Sequence, residues 1–112
     1  MSGTFQGRLA YASCVPSGVG PGSVTFTSQS GDFASAAYIG AGQYQLTLAA
    51  PIDPAECCYQ LTCRTATPDV RIASIISATT NDTTIEIEVL DETATNADPL
   101  AFDLVVVVKP AN

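Results

Sequence analysis

Three groups of side chains in this sequence have the types and spacing to do chemistry. Glu86 and Glu88 lie two apart in a strand-like run, which sends both carboxylates to one face. A carboxylate pair is the equipment of a glycosidase. However, the chain has no tryptophan and only four tyrosines, and it offers no evident aromatic platform for a sugar. The pair therefore reads as a solvated strand face whose charge discourages edge aggregation. Asp91, Glu92, Asn96 and Asp98 crowd one polar stretch and present oxygen atoms of the kind that bind calcium. They lack the glycine and the terminal bidentate glutamate of an EF-hand loop, and read as an ordinary acidic turn. Cys14, Cys57, Cys58 and Cys63 contain no C-x-x-C pair, and there is no histidine, so no zinc pattern is present. On an extended strand Cys57 and Cys63 share a face and Cys58 takes the other. A Cys57–Cys63 bridge within one strand conflicts with the ~7 Å limit on Cα separation. The cysteines read as free thiols acting as small hydrophobes.

The missing histidine removes the commonest general base, and with it a Ser-His-Asp triad or a Cys-His pair. The glycine-rich stretch at 18–22 precedes no helix whose N-terminus could hold phosphate, so it reads as a loop. The expectation is a protein that is not an enzyme, with no catalytic residue, no cofactor and no metal.

The elements that carry these side chains are strands. No window shows apolar residues at helical spacing between caps; β-branched residues and turn signals dominate. Eight strands are expected, at 4–11, 23–28, 33–39, 43–49, 56–65, 70–77, 83–90 and 100–109. Gly- and Pro-rich turns separate them, and in the 51–54 stretch neither Pro51 nor Pro54 can donate to a ladder. In the first strand Phe5, Leu9 and Tyr11 share a parity; in the fourth, Tyr44, Leu46 and Leu48 do. In the seventh, Ile85, Ile87 and Val89 point inward and Thr84, Glu86 and Glu88 outward. With 112 residues this makes one domain, 1–112: an all-β, single antiparallel β-sandwich of jelly-roll-like type, its connectivity left open.

The last strand differs from the seventh. Phe102, Leu104, Val106 and Val108 occupy one parity, and Val105 and Val107 the other, so it is apolar on both faces. A strand apolar on both faces is covered on both. Either another subunit or a local loop such as 16–22 covers the outer one; the reading taken is subunit contact, with Phe102, Val105 and Val107 as candidate interface residues. Composition agrees. Charged residues make up 13% of the chain, against about 25% in an average soluble domain, and 46% of the residues are hydrophobic. Four basic residues against eleven acids give a net charge of −7. No basic stripe exists to displace counterions from phosphates, which argues against nucleic acid and against anionic membranes. The first residues lack the basic and apolar regions of a signal peptide, so synthesis and retention in a cytoplasm are expected.

The string Ile39-Gly40-Ala41-Gly42-Gln43-Tyr44-Gln45-Leu46-Thr47-Leu48-Ala49-Ala50-Pro51-Ile52-Asp53 resembles a G-x-G-x-Y-x-x-x-L-x-x-P-I-D stretch. That stretch belongs to small C-terminal β domains of bacteriophage tail and head fibre proteins. Asp98-Pro99-Leu100-Ala101-Phe102-Asp103-Leu104-Val105-Val106 resembles their closing element, and the similarity covers roughly 22–109. The resemblance implies a structural part of a virion. The expected partners are copies of the chain itself, with a trimer favoured, and a major capsid or tail protein. Such fibres carry the domain behind a long shaft, whereas this sequence starts at Met1 with little ahead of it. That favours a capsid decoration, cement or spike protein made in the host cytoplasm. The alternative is a tip module that binds a host receptor or glycan.

Overall fold

A computed structural model of the chain describes residues 7–16, 24–65, 69–77 and 79–109. Its strands are β1 (Arg8–Pro16), β2 (Val24–Gln29), β3 (Phe33–Gly40), β4 (Gln43–Leu48), β5 (Cys57–Arg64), β6 (Ile72–Ile75), β7 (Thr84–Leu90) and β8 (Ala101–Val108). One 3-10 turn, Pro54–Glu56, precedes β5; Asp53 caps it by accepting from the Ala55 amide, and Pro54 sits where no amide donor is needed.

The strands form two four-stranded antiparallel sheets. The first sheet runs β2-β1-β8-β5 and the second β3-β4-β7-β6. The fold is the all-β antiparallel sandwich that the alternating pattern and turn spacing imply. The first and last strands pair, so β8 lies between β1 and β5 at the centre of its sheet. The core between the sheets is built from inward rows. In the second sheet, Tyr44, Leu46, Ile85, Ile87 and Val89 are fully or almost fully buried. In the first, Phe102, Leu104 and Val106 of β8 supply the bulk, flanked by Ala10, Ala12 and Cys14 of β1. The ring of Phe102 meets that of Tyr44 across the core at 5.0 Å, and Tyr38 stands edge-on to Tyr44 at 5.6 Å.

Strand β1 differs from the sequence expectation. It lies later, at Arg8–Pro16, and Phe5 falls outside the described residues. Its core parity is Ala10, Ala12 and Cys14, while Leu9 and Tyr11 point outward at 61% and 42% exposure. The reason is volume. Phe102, Leu104 and Val106 stand directly opposite in register, and small residues on β1 accommodate them. The sixth strand is shorter than expected, with Val70 exposed ahead of it. The loop proposed to cover the sheet falls at 17–22, outside the described residues apart from its first position, Pro16, which ends β1.

Candidate functional site

The two outer faces of the sandwich differ in chemistry. On the second sheet, Gln43 pairs in register with Glu88, Glu88 with Ser74, Gln45 with Glu86, and Thr47 with Thr84. Gln45 Nε2 donates to Glu86 Oε1 at 2.9 Å. These central rows are polar and place the glycosidase-like pair among amides and hydroxyls; at the margins of the same face Ile72, which pairs with Leu90, is 59% exposed, and Ile39 is 55% exposed. On the first sheet, register aligns three outward rows across β1, β8 and β5. They are Leu9–Val107–Cys58, Tyr11–Val105–Gln60 and Ser13–Asp103–Thr62. The first two rows are apolar apart from Gln60 at one end. Val105 and Val107 are half-buried by their neighbours, whereas Leu9, Tyr11 and Cys58 are exposed.

The structure separates the three candidate interface residues. Val105 and Val107 lie on this outer face, as their parity requires. Phe102 does not: it is 0% exposed and belongs to the core, packed on Tyr44. Phe102 is thus corrected from interface to core residue, because alternate side chains of a strand face opposite ways and its inward row faces the second sheet. Leu9 and Tyr11 join the face instead. Sequence parity did set them on one side of the strand; that this side is the outer one follows only from the register of β1 with β8.

The face is also nearly free of net charge. Asp103 is its acid, and Arg64 on β5 faces it at 3.8 Å, Nη2 to Oδ1. Both are substantially exposed, so the pair contributes little stability. It does neutralise the face of a chain whose net charge is −7.

A second constellation joins the two stretches that carried the resemblance. Asp98 Oδ1 accepts from the Gly42 amide at 2.7 Å and from the Tyr44 hydroxyl at 2.6 Å, and Oδ2 accepts from the Tyr38 hydroxyl at 3.0 Å. Arg71 Nε donates to the Asp98 carbonyl at 3.0 Å. Burial pushes the Asp98 carboxyl up. The bonds from Gly42, Tyr44 and Tyr38, with the Arg71 charge nearby, outweigh that and hold it below the usual carboxylate range. Burial, followed by the bond to Asp98 and its charge, raises the Tyr44 phenol, so Tyr44 stays a donor. Gly42 fits beneath the 91–99 loop because it has no side chain. Its φ is +65°, and a Cβ there would sit 2.6 Å from the Ala97 nitrogen and closer still to the Val89 oxygen. The cluster clasps the β3–β4 turn to the chain entering β8.

The acidic loop is accordingly not one ligand set. Asp91 Oδ1 accepts from the Thr93 amide at 2.8 Å and the Thr95 amide at 3.1 Å, within its own turn, while Asp98 turns to the tyrosines. The Thr93 hydroxyl, which donates to the same Asp91 oxygen at 2.7 Å, contributes most, and together with the Thr95 and Thr93 amides it holds Asp91 below the usual carboxylate range. All four cysteines are free thiols: Cys14 in the core, Cys57 and Cys63 half-buried, Cys58 exposed. Burial, with the Asp103 charge adding to it, pushes the Cys14 thiol up to about 12.

No protein-family model matches the chain, and neither does any curated protein or any solved structure. The functional reading therefore rests on the geometry and on the sequence resemblance.

Proposed function

We propose that this chain is a non-enzymatic structural component of a bacteriophage particle, a capsid decoration, cement or spike protein. In this reading it self-associates, as a trimer, through the outer face of the β2-β1-β8-β5 sheet and seats on a capsid or tail surface. The observation that carries self-association is the apolar pair of rows Leu9–Val107–Cys58 and Tyr11–Val105–Gln60, which run side by side across three strands of one sheet, whereas the central rows of the other sheet's outer face are polar. An apolar sheet face of this kind is ordinarily covered by a further layer.

A second copy is the occupant because of charge. Two bodies of −7 repel least where the charge at the contact is locally balanced, and on this face Asp103 is balanced by Arg64. The virion setting is supported by the resemblance to phage fibre domains.

The test is solution mass by light scattering on a sizing column, for the native chain and for Val107→Asp and Leu9→Asp. Each substitution puts a carboxylate into the proposed contact, where an unpaired buried charge costs about 3–5 kcal/mol. Leu9 is 61% exposed in the single chain, so its replacement leaves the fold intact. A native mass in multiples of three chains that falls in both variants is the expected result. A native chain at its 11.6 kDa monomer mass, or variants that keep the native mass, would refute the face as a self-contact.

A further inference from the structure

The four sheet edges are not equally protected. Natural sheets blunt their edges with short strands, bulges, prolines or charges, because an open edge is a template for another strand. Strand β6 is only four residues long. Strand β3 pairs with β4 through two register irregularities. Strand β2 is six residues long, its pairing with β1 contains a register shift, and the chain leaves it by a turn closed onto Tyr11. Strand β5 is long and has no bulge and no proline, and its one charge, Arg64, is its last residue. It runs eight residues in unbroken register along β8 and is the terminal strand of its sheet among the described residues. From Cys57 to Cys63 it carries neither a charge nor a proline.

Its sequence is also close to a palindrome in chemistry. Around Gln60 the pairs are Tyr59 and Leu61, Cys58 and Thr62, and Cys57 and Cys63. Cys57, Tyr59, Leu61 and Cys63 are half-buried on the core side, while Cys58, Gln60 and Thr62 are exposed. Turned end for end, the strand presents nearly the same pattern to itself. Because side chains alternate with period two, only a register that keeps core-side residues beside core-side residues continues both faces.

We propose that β5 pairs antiparallel with β5 of a second copy about a twofold axis at Gln60, forming one continuous eight-stranded sheet. Tyr59 then lies opposite the partner copy's residue 61, and Cys57 opposite its residue 63. The two Gln60 side chains meet at the axis on the outer surface. The ladder bonds come from backbone groups that β8 leaves unused, and the partner that satisfies them must be a strand of matching pattern, which this strand itself is. The contact is separate from the outer-face contact proposed above, and it also sets the apolar rows of two copies side by side.

The test separates the two contacts. In Leu9→Asp, where the face is out of use, edge pairing gives a chain that runs at twice its 11.6 kDa mass. Adding Gln60→Lys, a change at an exposed position, sets two like charges at the axis and should return the mass to one chain; mixing it with the corresponding Gln60→Glu protein should restore the pair. Register is read by cross-linking. With Cys57, Cys58 and Cys63 changed to serine, Gln60→Cys treated with diamide should convert to a covalent dimer. Antiparallel neighbours of one class approach to ~4.5 Å between Cα atoms, within disulfide reach. Thr62→Cys in the same background should give no covalent dimer. A one-chain mass in Leu9→Asp together with no dimer from Gln60→Cys overturns the edge proposal and leaves the outer-face reading to its own mass measurement. Equal cross-linking at positions 60 and 62 overturns the register.

Discussion

Replacing Asp98 by alanine tests whether the clasp holds the β3–β4 turn to the chain leading into β8. The substitution removes the acceptor for three donors: the Gly42 amide, the Tyr44 hydroxyl and the Tyr38 hydroxyl. Tyr38 is half-exposed, and water takes over its bond at little cost. Tyr44 is 0% exposed, and Gly42 lies buried beneath the loop, so two donors lose a charged acceptor in places water reaches poorly. Leaving a buried donor unsatisfied costs about 1–3 kcal/mol, which makes ~3–4 kcal/mol a fair sum for the pair. For a domain of this length 1 kcal/mol corresponds to about 4 °C of melting temperature. The expected loss is therefore ~12–16 °C at pH 7, followed by circular dichroism during heating.

The pH dependence has a definite sign. The Asp98 carboxyl is held below its unfolded value of roughly 3.9, so its contribution is fully present above that pH. The contribution is lost as the pH falls through the lower, folded value. The gap between the native chain and Asp98→Ala should thus be constant from pH 7 to about pH 5 and narrow below about pH 4. A melting temperature lowered by less than about 4 °C, equivalent to ~1 kcal/mol, would refute the clasp. So would a gap that stays constant into acid.

Gly42→Ala should destabilise the chain by at least ~2 kcal/mol, because it combines a left-handed backbone with a Cβ forced against Val89 and Ala97; denaturant midpoints measure it, and a loss below ~0.5 kcal/mol would mean the loop sits elsewhere. In thiol titration with a chromogenic disulfide, Cys58 should react first and Cys14 only on unfolding, since Cys58 is exposed whereas Cys14 is buried with its thiol pushed up to about 12. Rapid reaction of all four thiols in the native chain would contradict the core assignment of Cys14.

Much of the fold was legible because it depends on local pattern. The alternation Ile85-Glu86-Ile87-Glu88-Val89 identifies an amphipathic strand, since side chains alternate whatever the strand pairs with. The same rule separates Val105 and Val107 from Phe102. It could not say that Leu9 and Tyr11 face outward, because the inward residues Ala10, Ala12 and Cys14 are small. A row of small residues gives little hydropathy signal until Phe102, Leu104 and Val106 are seen opposite them. The clasp was hidden for another reason. Asp98 lies 56 residues from Gly42 and 54 from Tyr44, so in the sequence it is one acid among several in a polar loop. The glycine and tyrosine of one quoted stretch and the aspartate of the other had no visible relation to each other.

The sequence by itself thus determined that the chain is a β-sandwich with an acidic surface, and that its last strand is apolar on both sides, because composition and period-two alternation are properties of the chain alone. Only the tertiary structure decided which strands are neighbours, and with them the apolar rows, the neutral Arg64–Asp103 pair, the Asp98 clasp and the open edge of β5. Each of these depends on residues far apart in sequence being brought into one register, and register is fixed by the packing of whole faces rather than by any single segment.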